Sequence, residues 1–140
     1  MRITRDEYLL NEVFNAAKRS TCLRLNVGAV LVRDGRPILA GYNGALSGFP
    51  HCTPETCGPD KPCNNTVHAE VNVIYFAARH GIATEGATLW CTDSPCKACA
   101  EAIIQVGITE VVYAREYRDI SPLRLMAGAG IHIRVVPRAA

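Results

Sequence analysis

Four residues of this chain have the types and spacing of a catalytic metal centre. His68 and Glu70 stand two apart in TVHAEVN, and Cys96 and Cys99 stand three apart in DSPCKAC. Two thiolates and one imidazole supply three ligands of a tetrahedral zinc and leave the fourth position to water, the pattern of a catalytic site rather than a closed structural one. Glu70 then reads as the acid-base group beside that water, taking a proton from it and delivering protons to a leaving nitrogen. Each half alone is weak, since Cys-x-x-Cys is as readily redox or structural and a glutamate at a helix start is most often a surface charge facing the dipole. The conjunction favours zinc-assisted hydrolysis. A module in which His68, Cys96 and Cys99 merely staple two helices, without turnover, is the competing reading.

For these residues to meet, the elements carrying them must start at one edge. A helical pattern over Val67, Val71, Ile74 and Ala78 stops at Gly81, and SPCKACAEAIIQVG reads as a helix with Ser94 as N-cap, Pro95 at the first position and Gly107 as its stop. Successive crossover helices of a parallel sheet begin beyond the carboxyl ends of the strands, so adjacent N-termini converge there. Side chains lean toward the helix N-terminus, so first-turn residues reach an ion lying just beyond the end. Upstream, Thr4 and Glu7 form a capping box ahead of Leu9, Val13, Ala16 and Ala17, which share one helical face. Residues 27–33 and RPILAGYN flank Asp34-Gly35 and predict a hairpin. The stretch from Gly44 to Asn65 has no periodicity and reads as a long loop, functional or held by a metal. ATLWCT, TEVVYA and IHIRVV are strands, and SPLRLMAG is a short helix opened by Ser121 and Pro122. The order α-β-β-α-β-α-β-α-β predicts an α/β fold, a mixed sheet with helices on both faces, in one domain over residues 1–140.

Composition narrows the partners. Fifteen basic and thirteen acidic side chains give a formal charge of +2, too small and scattered for a surface that grips duplex phosphates, so no nucleic acid is expected and a small ligand is. No run of eighteen apolar residues appears, and Arg5, Asp6, Glu7 and Lys18 interrupt any signal-peptide core, so the expectation is a cytoplasmic protein with no membrane contact. Seven cysteines are many for such a chain, and in a reducing compartment they are more often ligands, catalytic groups or buried thiols than disulfides. Cys91, His80 and His132 read as ordinary structural residues.

His-x-Glu followed by Pro-Cys-x-x-Cys is the signature of zinc nucleobase deaminases, and here it is complete from His68 to Glu70 and from Pro95 to Cys99. Nearly end to end the chain resembles the cytidine deaminase superfamily and, within it, the deoxycytidylate (dCMP) deaminases of bacteria and phages, including the late-competence type. RSTCLRLNVGAVLV, GYNGALSGFPHC, EGATLWCTDSPC and VVYAREYRD carry the likeness, with GYNG the discriminating stretch. The resemblance implies a three-layer α/β/α cytidine-deaminase-like fold with a mixed five-stranded sheet. It also implies hydrolysis of dCMP to dUMP and ammonia, feeding thymidylate synthesis. His68, Cys96 and Cys99 would bind one catalytic Zn2+, with Glu70 catalytic. Asn43 would contact the sugar, Tyr117 would lie near the base, Ala69 would line the substrate site, and Arg24, Asn26 and Arg118 would serve the phosphate end.

Cys22, Cys52, Cys57 and Cys63 fall in segments that this family often ties with a structural zinc, with His51 as an alternative ligand. Their spacing is not that of a zinc finger, and unligated thiols are the other reading. The family likeness further implies a homo-oligomer, commonly a hexamer, regulated by dCTP and dTTP with a divalent cation such as Mg2+ near the GYNG loop. A tRNA-acting deaminase would need a basic, aromatic-lined approach, against which six per cent aromatics and the small charge both count. Riboflavin-pathway deaminases commonly add a reductase domain for which 140 residues leave no room.

Overall fold

The computed structural model describes residues 1–57 and 66–138. Helix α1 (Arg5–Ala17) precedes the hairpin β1 (Gly28–Arg33) and β2 (Arg36–Tyr42), whose turn places Asp34 and Gly35 at positive φ, as Asp-Gly predicts. Two short strands follow, β3 (Gly44–Ala45) and β4 (Thr66–Val67), and then α2 (Ala69–His80), β5 (Thr88–Asp93), α3 (Lys97–Gln105), β6 (Glu110–Arg115), α4 (Ser121–Gly128) and β7 (His132–Val135). The main sheet has the order β2-β1-β5-β6-β7. Strand β1 runs antiparallel to both β2 and β5, while β5, β6 and β7 are parallel, so the sheet is mixed and five-stranded.

Alternation along the strands sorts side chains into two core layers. Leu31, Leu89, Cys91, Val111 and Tyr113 pack against Val73 of α2, Ile103 of α3 and Met126 of α4. Val30, Val32, Trp90 and Val112 face the other way, onto Leu9, Leu10 and Val13 of α1. That is the α/β/α sandwich implied by the family likeness. Gly28 lets α1 lie directly on β1, since a Cβ there would collide with the Val13 carbonyl oxygen and come within 2.8 Å of the Ala17 nitrogen.

Because β2 and β5 are both antiparallel to β1, they run parallel to each other. Helix α2 crosses from β2 to β5 and α3 from β5 to β6, so both helices start at one sheet edge, as the convergence of their ligands requires.

Three local readings need correction. The N-cap of α3 is Cys96, not Ser94, because the Ser94 hydroxyl accepts the Tyr117 N–H at 2.9 Å instead of capping the helix. At α4 the residue before the helix is Ile120, and the Asp119 carboxylate, not Ser121, accepts a first-turn N–H, that of Ser121 at 2.9 Å. Val67 is not helical: it pairs with Gly44, and Thr66 pairs with Ala45, so the long loop is closed at its base by a two-stranded ladder. Two-residue strands leave no periodicity to read.

Candidate active site

Helix α2 has His68 as its N-cap and α3 has Cys96, both in extended backbone conformation and neither capping with its side chain. Their carbonyls start the helices, accepting from Asn72 at 2.9 Å and Ala100 at 2.8 Å. The side chains are thereby left to turn toward one another. His68 Nδ1 lies 3.5 Å from Cys96 Sγ and 3.3 Å from Cys99 Sγ, and the three ligand atoms all fall within 4.8 Å of one another. Tetrahedral zinc, with bonds near 2.3 Å to sulfur and 2.0–2.1 Å to nitrogen, separates nitrogen from sulfur by about 3.5 Å. The donor set and its spacing fit that ion.

The electrostatics of the cluster favour a cation. Cys96 is pushed down to about 3 by the hydrogen bond from Cys99 and then by His68. Cys99, donating to Cys96 and shielded from solvent, is pushed up. His68 is raised, chiefly by its bond to Cys96. Glu70, in the first turn of α2, is 4% exposed, and burial raises its carboxyl while its own backbone N–H, Cys99 and His68 hold it down. A carboxyl balanced between those pulls is suited to accept and return a proton.

Behind the cluster, the ends of β5 and β6 are cross-tied. Asp93 and Arg115 are register partners. Arg115 grips the buried Asp93 carboxylate through Nε and Nη2, both at 2.9 Å, and the Thr92 hydroxyl donates to the same carboxylate at 2.7 Å. Arg115 Nη2 also donates to the Asn26 carbonyl at 3.4 Å, and the Ser94 N–H donates to the Arg115 carbonyl at 2.8 Å.

A cavity of about 330 Å³ opens onto His68, Glu70 and Cys96, and its walls include the predicted Arg24, Asn43, Ala69 and Tyr117. Asn26 and Arg118 are exposed and do not line it. Asn43 is mostly committed to the scaffold: its Oδ1 accepts from Val27 N–H at 2.9 Å and its Nδ2 donates to Leu25 O at 2.7 Å. One Nδ2 proton and one Oδ1 lone pair are left for a ligand. Tyr117 is pushed up to about 12, first by burial and then by Asp93 and Glu70, and so presents a neutral hydroxyl. Sequence reasoning placed Cys22 in a structural metal site and Ser94 at a helix cap and gave Asp93 no role, yet all three also line the cavity. For Asp93 a signal was available: it ends a parallel strand, where such sites form.

A second sulfur cluster lies beside the first. Cys22, Cys52 and Cys57 are buried together, with the Cys22 and Cys57 sulfurs 3.7 Å apart and Arg24 N–H donating to Cys22 Sγ at 3.4 Å. Cys63, the fourth residue expected there, lies outside the described residues; His51 is exposed. Cys91 is a fully buried core residue, His80 stacks on Phe76 with centroids 4.1 Å apart, and His132 Nδ1 meets Glu110 at 2.8 Å. None of the described helices is long and apolar enough to cross a membrane.

Comparison with known proteins agrees with this geometry. The family model for the cytidine and deoxycytidylate deaminase zinc-binding region matches residues 3–115. ComE operon protein 2 of Bacillus subtilis is 44% identical over 118 residues, covering 84% of this chain and 62% of that protein. The deoxycytidylate deaminase of Saccharomyces cerevisiae is 36% identical over 145 residues, covering 96% of this chain and 45% of that protein. This chain therefore spans about half to three-fifths of the length of those relatives. The crystal structure of dCMP deaminase from cyanophage S-TIM5 in complex with dCMP and dUMP superposes with a TM-score of 0.86 at 29% identity, covering 97% of this chain and 99% of that one.

Proposed function

This chain belongs to the zinc-binding cytidine and deoxycytidylate deaminase family, and on that premise we propose that it hydrolyses dCMP to dUMP and ammonia. The observation that carries the reading is the convergence of His68, Cys96 and Cys99 beside buried Glu70, at the end of a cavity large enough for a small ligand. A zinc ion held by those three residues would supply Lewis-acid activation of a water molecule. Glu70 takes one proton from the attacking water and passes it to the ring nitrogen as the water oxygen bonds to C4 of cytosine, then takes the second from the new C4 hydroxyl and passes it to the departing amine. Carbon–nitrogen cleavage releases ammonia and leaves the carbonyl of uracil, so one water is consumed per turnover. Arg24 supplies charge for the phosphate, the spare Asn43 donor and acceptor meet the sugar, the neutral Tyr117 hydroxyl faces the base, and Ala69 gives its close wall.

Cys22, Cys52 and Cys57, with Cys63, are proposed to hold a second, structural zinc. The 3.7 Å separation of the Cys22 and Cys57 sulfurs supports this, being about the spacing of two thiolates on tetrahedral zinc. The reading includes a soluble homo-oligomer, with dCTP and dTTP as effectors. A 740 Å³ cavity beside Gly44, lined by Lys18, Arg19 and Arg79, offers the charge such effectors need.

The test is ammonia release from dCMP, deoxycytidine and CMP, with zinc determined on the same sample. Turnover of dCMP well above the other two, abolished in Glu70→Ala with zinc retained, is expected. A silent Glu70→Ala substitution would favour the non-catalytic module, and activity on a tRNA loop but not on dCMP would favour the nucleic-acid enzyme.

A further inference from the structure

Asp93 is an odd residue to find in the wall of a cavity that admits a phosphorylated ligand. It lines the same 330 Å³ space as Glu70, and Arg24 is the one arginine or lysine on that lining among the described residues. A space of that volume is about 9 Å across, roughly one Debye length, so every charge on its wall acts on whatever enters. Apart from the ligand cluster itself, two carboxylates face one arginine on that wall, an excess of negative charge that disfavours a phosphate.

Arg115 changes that balance. Its Nε and Nη2 bind both oxygens of Asp93 at 2.9 Å, a bidentate pairing that matches charge and plane together. The same guanidinium reaches the carbonyl of Asn26, two residues from Arg24, and Arg115 itself ends β6 two residues before Tyr117. One side chain thus joins the Arg24 segment, the approach to Cys96 and the Tyr117 segment. Three of its five N–H donors are used in these bonds, and the side chain is half exposed outside the cavity lining, so it acts through Asp93 and not on the ligand.

We propose that Arg115 is a positioning residue that holds and neutralises Asp93 in the cavity wall, and so makes the cavity selective for a phosphorylated nucleoside over the uncharged one. The proposal rests on the reading of this cavity as a nucleotide site.

The experiment compares the zinc-loaded protein with Arg115→Gln, Asp93→Asn and the double variant. It measures kcat and KM for dCMP and deoxycytidine, zinc per chain, and calorimetric binding of dUMP and deoxyuridine. Arg115→Gln exposes the Asp93 charge, so KM for dCMP rises about tenfold while the deoxycytidine values and zinc content stay within about twofold. Asp93→Asn does not raise KM for dCMP, and the double variant returns toward the parent. A pair that only braces the fold would instead lower kcat for both substrates alike, or shed zinc, in each single variant, and that result overturns the proposal. Should Arg115→Gln not fold, Asp93→Asn still decides, since bracing predicts a loss for both substrates and neutralisation predicts none. If the parent deaminates neither substrate yet prefers dUMP to deoxyuridine, and Arg115→Gln erases that preference, the role of Arg115 stands and the deaminase reading falls. No preference in the parent overturns the role itself.

Discussion

The two sulfur clusters are built from similar atoms at similar spacing and differ in what surrounds them. His68 and Cys96 cap two helices and Cys99 lies in the first turn of the second, with a buried carboxylate alongside and a cavity in front. Cys22, Cys52 and Cys57 come from loop segments on either side of the hairpin and are buried against one another. Thiol groups alone therefore do not mark chemistry. An adjacent proton carrier and an open approach do, and here both occur where crossover helices begin.

The strongest way to break the comparison is to remove a ligand from the first cluster. His68→Ala is expected to lose one zinc per chain and to bring ammonia release down to background, read by metal analysis and a coupled assay. Retained activity would mean that the second cluster, or neither, holds the working ion. Next in size, Glu70→Gln keeps shape and hydrogen bonding but cannot take the proton. Its kcat should fall by about 10²–10⁴ with zinc content unchanged.

The second cluster should respond in the opposite currency. Cys57→Ser, at a fully buried position, is expected to lower Tm by about 5–10 °C and to leave the kcat of the folded fraction within a few-fold, since a closed metal site contributes folding energy and not catalysis. A change under about 2 °C would mark these residues as plain buried thiols. Smallest is Thr4→Ala, which deletes the hydrogen bond from Glu7 N–H to Thr4 Oγ1 at 3.1 Å. It should cost about 1 kcal/mol in chemical denaturation and leave both clusters untouched.

How legible these features were in the sequence follows from their physics. The strands, α1, the Asp-Gly turn and the body of the helices were readable because period and turn chemistry act locally. The ligand set was readable because zinc demands particular atoms at particular spacing. The caps of α3 and α4 were not, because Ser94 and Ser121 each have two hydrogen-bonding options, and tertiary contact with Tyr117 or a nearby Asp119 decides between them. The β3–β4 closure was hidden because two-residue strands carry no pattern and their partners are separated by the whole loop. Asn43 was identified as a site residue, but its scaffold bonds to Leu25 and Val27 depend on how the 18–27 segment folds back. Asp93 and Arg115 looked like two unrelated charges until the parallel register of β5 and β6 set them side by side.

Hydrolysis at the first cluster is tested most directly by incubating the zinc-loaded protein with dCMP in water enriched in oxygen-18 and weighing the nucleotide product. The expected product is dUMP carrying one heavy oxygen on the base, with ammonia released in equal amount. Unchanged dCMP from protein whose His68, Cys96 and Cys99 site is fully metallated would contradict it.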